Sequence, residues 1–117
     1  MNIESLRDFC LLKKGVEETF PFDNDILVFK VMGKMFALIS IKDPNSVNLK
    51  CNPEKAIELR AEFTSIKPGY HMSKVHWNTV NFNEDAKDEM ILEMVNDSYN
   101  LVVSSLTKKL KTELDLM

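Results

Sequence analysis

The chain has 117 residues, 44% of them hydrophobic and 28% charged, with only 3 Gly and 4 Pro. That is one domain's length with enough apolar material for one core, which excludes a disordered, collagen-like or low-complexity protein. Fifteen Lys and Arg against 18 Asp and Glu leave a net charge of −3, so this is no polycation built to coat nucleic acid or anionic lipid.

Ile3, Leu6 and Cys10 recur at helical spacing behind Asn2, a suitable N-cap, and Gly15 is placed to end this first helix. Phe20-Pro21-Phe22 turns the chain. Ile26 to Val31 and Met35 to Ile39 are rich in strand formers and flank Gly33-Lys34, which predicts an antiparallel hairpin. Asp43-Pro44-Asn45-Ser46 is a second turn, and Val47 to Cys51 alternates as a half-exposed strand. Asn52-Pro53-Glu54 starts a helix that runs to about Glu62, with Asn as cap and Pro in the first turn. Pro68-Gly69 breaks the chain and sets a turn, with Gly69 supplying backbone freedom, before a strand from Val75 to Phe82. Asn83 is the expected cap of a long C-terminal helix, in which Ile91, Met94, Val95, Ser98, Val102 and Leu106 keep the 3.6-residue period, with a separate last turn after it. Helix, three strands, helix, one or two strands, helix predicts an α+β domain over residues 1–117, its antiparallel sheet covered by helices on one face.

Two cysteines, Cys10 and Cys51, lack any C-x-x-C spacing, and Cys10 in an apolar run reads as a buried, inert thiol. Met1 to Ser5 lacks the basic and apolar regions of a signal peptide, and the longest strongly apolar stretch falls well short of the ~20 residues that span a bilayer. A soluble, cytoplasmic protein is expected, with no membrane contact. The only histidines, His71 and His76, have no third ligand nearby, so no metal is expected. No nucleophile elbow and no glycine-rich phosphate loop occurs, and the paired acids Glu17-Glu18 and Glu84-Asp85 read as solvated surface. These absences point away from an enzyme and from a cofactor.

Residues 63–83 differ from the rest: they contain no Asp or Glu, where the average composition would place about three. Lys67 and Lys74 give the segment +2, leaving −5 on the remainder of the chain. Basic, aromatic and amide side chains interleaved around a turn suit phosphate contacts and base stacking. The simpler reading is that Tyr70 and Trp77 anchor a loop while the lysines are ordinary surface, because two lysines make few phosphate contacts.

Lys67-Pro68-Gly69-Tyr70-His71-Met72-Ser73-Lys74-Val75-His76-Trp77-Asn78-Thr79-Val80 resembles the signature of the MmcQ/YjbR family of small bacterial proteins. Val28 to Ala37, Leu49 to Ala56 and Ser98 to Val103 resemble its first hairpin, middle helix and closing helix, in that order. The resemblance implies a CyaY-like α+β arrangement with N-terminal and long C-terminal helices. It also implies DNA binding through a "double wing", with no catalytic residue to carry over. Val75 departs from the pattern, standing where the family often has a further basic residue. The contact residues expected on this reading are Lys30, Lys34, Lys67, Tyr70, His71, Lys74, His76, Trp77 and Asn78, with Lys34 and Lys74 brought side by side on two wings. The alternative is an interaction module that binds another protein and no nucleic acid. A catalytic reading would need a pocket that brings His71 or His76 to a carboxylate or Cys.

Overall fold

The computed structural model describes residues 1–70 and 72–117; the expectations placed on His71 lie outside them. In chain order the elements are α1 (Ile3–Leu11), β1 (Val16–Thr19), β2 (Ile26–Val31), β3 (Lys34–Ser40), β4 (Ser46–Lys50), α2 (Pro53–Glu62), β5 (Ile66–Pro68), β6 (Trp77–Asn81), α3 (Asp88–Ser104) and α4 (Lys108–Asp115). The six strands form one antiparallel sheet in the order β1-β2-β3-β4-β6-β5. The α+β class and the antiparallel sheet are as expected.

Most local starts and stops follow the sequence. Asn2 accepts a hydrogen bond from the Ser5 amide at 2.8 Å, and Asn52 accepts from Glu54 at 3.0 Å, so both act as N-caps. The β2–β3 hairpin turns on Met32 and Gly33 alone, at φ 50° and 85°, the pair of left-handed residues that a tight two-residue turn demands. Four expectations need correction. α1 stops at Leu11, short of Gly15. Val16–Thr19 is an edge strand, whose Glu18 is no free surface acid: both its oxygens accept from Arg7 of α1 at 2.7 Å. Pro68 lies in β5, a short strand on β6, and not in a turn. α3 begins at Asp88, because Asn83 is occupied elsewhere: at φ 58° its side chain accepts from the Met1 amine at 2.9 Å and donates to the Met1 carbonyl at 3.1 Å.

The main core lies between the sheet and the helices, where Leu6, Phe29, Phe36, Val47, Val80, Ile91, Val95 and Val102 are buried. In the β2–β3 register Phe29 faces Ala37 and Lys30 faces Met35, so Phe36 is an extra residue with no partner, a β-bulge. Direct β3–β4 pairing covers only Ala37↔Leu49 and Leu38↔Asn48. Beyond it Ser98 of α3 takes over. Its hydroxyl donates to the Phe36 carbonyl at 2.6 Å and accepts from the Lys50 amide at 2.9 Å, splinting the two strands where the ladder stops. Cys10 is fully buried in this core, and desolvation pushes its thiol up to about 12, as an inert thiol requires.

Candidate functional site

All four helices leave one sheet face without a helix. Alternation along the strands puts Ile26, Val28 and Lys30 of β2, Leu38 and Ser40 of β3, Ser46 and Asn48 of β4, and Thr79 of β6 on that face. Val28, Leu38 and Trp77 form a second buried cluster there, with Ile26, Met35 and Met72 packed against it. The segment after β5 folds over this cluster, and Met72 is the side chain it inserts. Between that segment and the loops before β2 and β4 lies a groove of about 800 Å³. Its floor is Ile26, Leu38, Ser40, Ser46, Asn48 and Thr79, and its walls are Phe22, Asp23, Asp43, Lys67, Pro68, Tyr70 and Met72.

The wall at Tyr70 is pinned by polar side chains in the middle of the sheet. The Tyr70 amide donates to the Thr79 hydroxyl at 3.0 Å, that hydroxyl donates to Asn48 Oδ1, and Asn48 Nδ2 donates to the Tyr70 carbonyl at 3.4 Å. From α2, Arg60 Nε donates to Asn78 Oδ1 at 2.7 Å, and its guanidinium also donates to the carbonyls of Trp77, at 3.2 Å, and Lys74. One planar fork thus ties both ends of the Lys74–Trp77 turn to a helix. Gly69 sits here for want of space rather than for backbone freedom: its φ is not left-handed, and a Cβ would stand 2.7 Å from Trp77 Cβ.

The residues expected to make contacts separate into three groups. Lys67 and Tyr70 line the groove, and Lys30 stands on the same face. Trp77 and Asn78 are structural: Trp77 is 8% exposed in the second cluster, and Asn78 is 2% exposed and turned toward Arg60, which leaves it no surface to offer. Lys34 and Lys74 each reach a nearby backbone carbonyl. Lys34 Nζ donates to the Ser105 carbonyl at the end of α3, at 3.4 Å, while Lys74 Nζ closes onto the Gly69 carbonyl at 3.4 Å. His76 is exposed, and its carbonyl accepts from the Cys51 amide at 2.8 Å. Among the described residues no three His, Cys, Asp or Glu side chains gather to hold a metal ion, and no helix is long and apolar enough to cross a membrane.

Sequence reasoning missed Phe22, Ile26, Leu38, Ser40 and Ser46 as lining residues, and Arg60 as the clamp. Ile26 had a signal: the unbroken apolar run Ile26-Leu27-Val28-Phe29 marks a strand that meets apolar groups on both faces. Arg60 had none, being one cation at a helix end.

Comparison with known proteins agrees with this architecture. The YjbR family model matches residues 11–101. The chain belongs to the YjbR family. Escherichia coli O157:H7 YbdF is 41% identical over 107 residues, 91% of this chain and 88% of that protein. Escherichia coli K12 YjbR is 31% identical over 110 residues, 93% of each chain. The crystal structure of a Deinococcus radiodurans protein superposes on this YjbR-family chain with a TM-score of 0.90 at 40% identity, covering 97% of this chain and 87% of the other. A Pseudomonas syringae protein follows at TM-score 0.72 and 29% identity, covering 86% and 98%. The α+β fold is therefore shared with solved structures of similar sequence.

Proposed function

We propose that this YjbR-family protein is a binding module, not a catalyst, and that its helix-free groove holds a segment of another polypeptide. The observation that carries this reading is the lining of the groove. Apolar side chains form much of it, Phe22 and Tyr70 stand 62% and 68% exposed at its walls, and small hydroxyls lie between. Apolar surface left open beside a few polar groups marks a place where a partner completes the packing.

DNA binding, which the family resemblance implies, finds less support in this geometry. Neutralising phosphates takes several convergent cations. Among the described residues Lys67 is the one cation in the groove lining, where Asp23 and Asp43 would repel a phosphate backbone, and Lys34 and Lys74 each donate to a carbonyl.

The test pairs a hexapeptide display selection, followed by calorimetry on the selected peptides, with fluorescence anisotropy of labelled duplex and single-stranded DNA across a salt series. Peptides that bind the wild type and fail against Ser46→Trp, which fills the groove from its floor, support the reading. DNA binding that weakens with salt and vanishes in Lys67→Glu/Lys74→Glu overturns it, as does a selection that yields no groove-dependent peptide.

A further inference from the structure

The groove has a direction. It crosses β2, β3, β4, β6 and β5, four strand spacings of roughly 4.8 Å, or about 19 Å, which about six residues of extended chain would span. Charge is distributed unequally along that line. Asp23 stands on the loop before β2 and Asp43 on the loop between β3 and β4, while Lys67 stands on the far edge strand β5.

Among the described residues neither end is neutralised from within. Asp23 Oδ1 accepts from the amides of Asp25 and Ile26 at 2.7 and 3.1 Å, and Asp43 Oδ1 accepts from the Asn45 side chain at 2.8 Å. These are neutral donors and bring no counter-charge to either carboxylate. The neighbouring cation, Lys42, is paired with Asp25 at 3.1 Å, so the loop end remains net negative. The Lys67 ammonium has no hydrogen bond or ion pair among the described residues. Between the ends, Asn48 and Thr79 are neutral and already engaged with the Tyr70 backbone.

We propose that the groove selects its polypeptide by this charge polarity: an extended segment of about six residues, apolar in the middle, with a basic residue over the Asp23–Asp43 end and an acidic residue over Lys67. This rests on the polypeptide reading above and specifies the chemistry of the partner.

Three end-blocked hexapeptides test it, each with four apolar residues between charged ends: arginine and glutamate, two arginines, or two glutamates. Calorimetry at low salt on the full chain should rank the mixed peptide tightest for the wild type. Lys67→Glu should weaken it about fivefold to tenfold and make the two-arginine peptide the tightest. Asp43→Lys should shift preference toward the two-glutamate peptide. Both substitutions are at exposed positions, so the fold is preserved. Equal binding of all three peptides, still abolished by Ser46→Trp, overturns the polarity and leaves the polypeptide reading standing. Binding indifferent to Ser46→Trp, or an oligothymidylate that occupies the groove in place of the peptides, overturns both.

Discussion

Replacing Ser98 with Ala tests the account of how α3 completes the sheet. The hydroxyl is fully buried and serves two backbone groups, accepting from the Lys50 amide at 2.9 Å and donating to the Phe36 carbonyl at 2.6 Å. The bulge has removed Phe36 from the β2 register, and β3–β4 pairing has already ended at Ala37↔Leu49. Ser98→Ala therefore orphans one donor and one acceptor at once, and leaves a gap about one oxygen wide. Each unsatisfied buried group costs about 1–3 kcal/mol, and with Lys50 only half-buried the total should be about 2–3 kcal/mol. At ~2.1 cal/mol/K per residue the unfolding entropy of this chain is roughly 0.25 kcal/mol/K, so the midpoint should fall by about 8–12 °C.

Urea unfolding would read this as a lower midpoint at unchanged m, with calorimetry giving the thermal shift. Ser104→Ala is the control. Its exposed hydroxyl bonds only the Leu101 carbonyl at 2.7 Å, and the loss should stay within about 0.5 kcal/mol. A Ser98→Ala cost no larger than the control would mean that Lys50 and Phe36 pair directly once the hydroxyl is gone. The splint would then be refuted.

Gly69→Ala should destabilise the β5–β6 hairpin by about 1–3 kcal/mol, since the new Cβ would meet Trp77 Cβ at 2.7 Å and the Trp77 carbonyl at 3.0 Å; a red-shifted emission from this single tryptophan at unchanged far-UV signal is the readout. Arg60→Met should free the Lys74–Trp77 turn, seen as proteolytic cleavage there under conditions that leave the wild type intact, whereas equal resistance would show that Thr79 and Asn48 suffice to hold the loop. Asp85 is held well below its ordinary value of 3.8, at about 2, beside Ser65 and Thr64, whose amides donate to its carboxylate at 3.0 and 2.7 Å, with the Thr64 hydroxyl donating at 3.1 Å. Its contribution to stability is therefore present above about pH 4 and lost as pH falls toward 2; Asp85→Asn should flatten the stability–pH curve in that window, and an unchanged slope would assign acid sensitivity elsewhere.

The elements legible in the sequence are those whose signals are local. Ile26–Val31, with Gly33 after it, named its strand to the residue, and Asn52-Pro53 named the start of α2, because turn chemistry and capping act within a few positions. The elements that escaped depend on partners far along the chain. Val16–Thr19 carries two adjacent acids and becomes a strand because β2 lies beside it and Arg7 donates to both oxygens of Glu18. Ile66–Pro68 ends in residues that punctuate chains, and pairs nonetheless because Pro is tolerated at a sheet edge. The same division runs through the site. The acid-free segment 63–83 was visible as unusual, yet much of its signature serves to hold a loop down: Trp77 and Asn78 are buried, and Gly69 makes room for Trp77. The groove that this loop borders draws on β2, β3 and β4 as well, a convergence that no spacing along the chain encodes.

The mixed character of the groove follows from how the helices are distributed. One layer of helices covers one face, while β2 and β3 carry apolar side chains on both, with Val28 and Leu38 buried on the helix-free side. β4 and β6 alternate differently and offer Ser46, Asn48 and Thr79 to that side. Apolar cover is thus needed over one half of the sheet and polar contact over the other. Met72 and Trp77 supply part of the cover, brought there by a loop that Arg60, Asn48 and Thr79 hold in place. What they leave open is the strip beside the half-buried Ile26, bounded by Phe22 on one side and Tyr70 on the other. On the polypeptide reading, the apolar middle of an extended segment would continue the packing that Met72 and Trp77 begin.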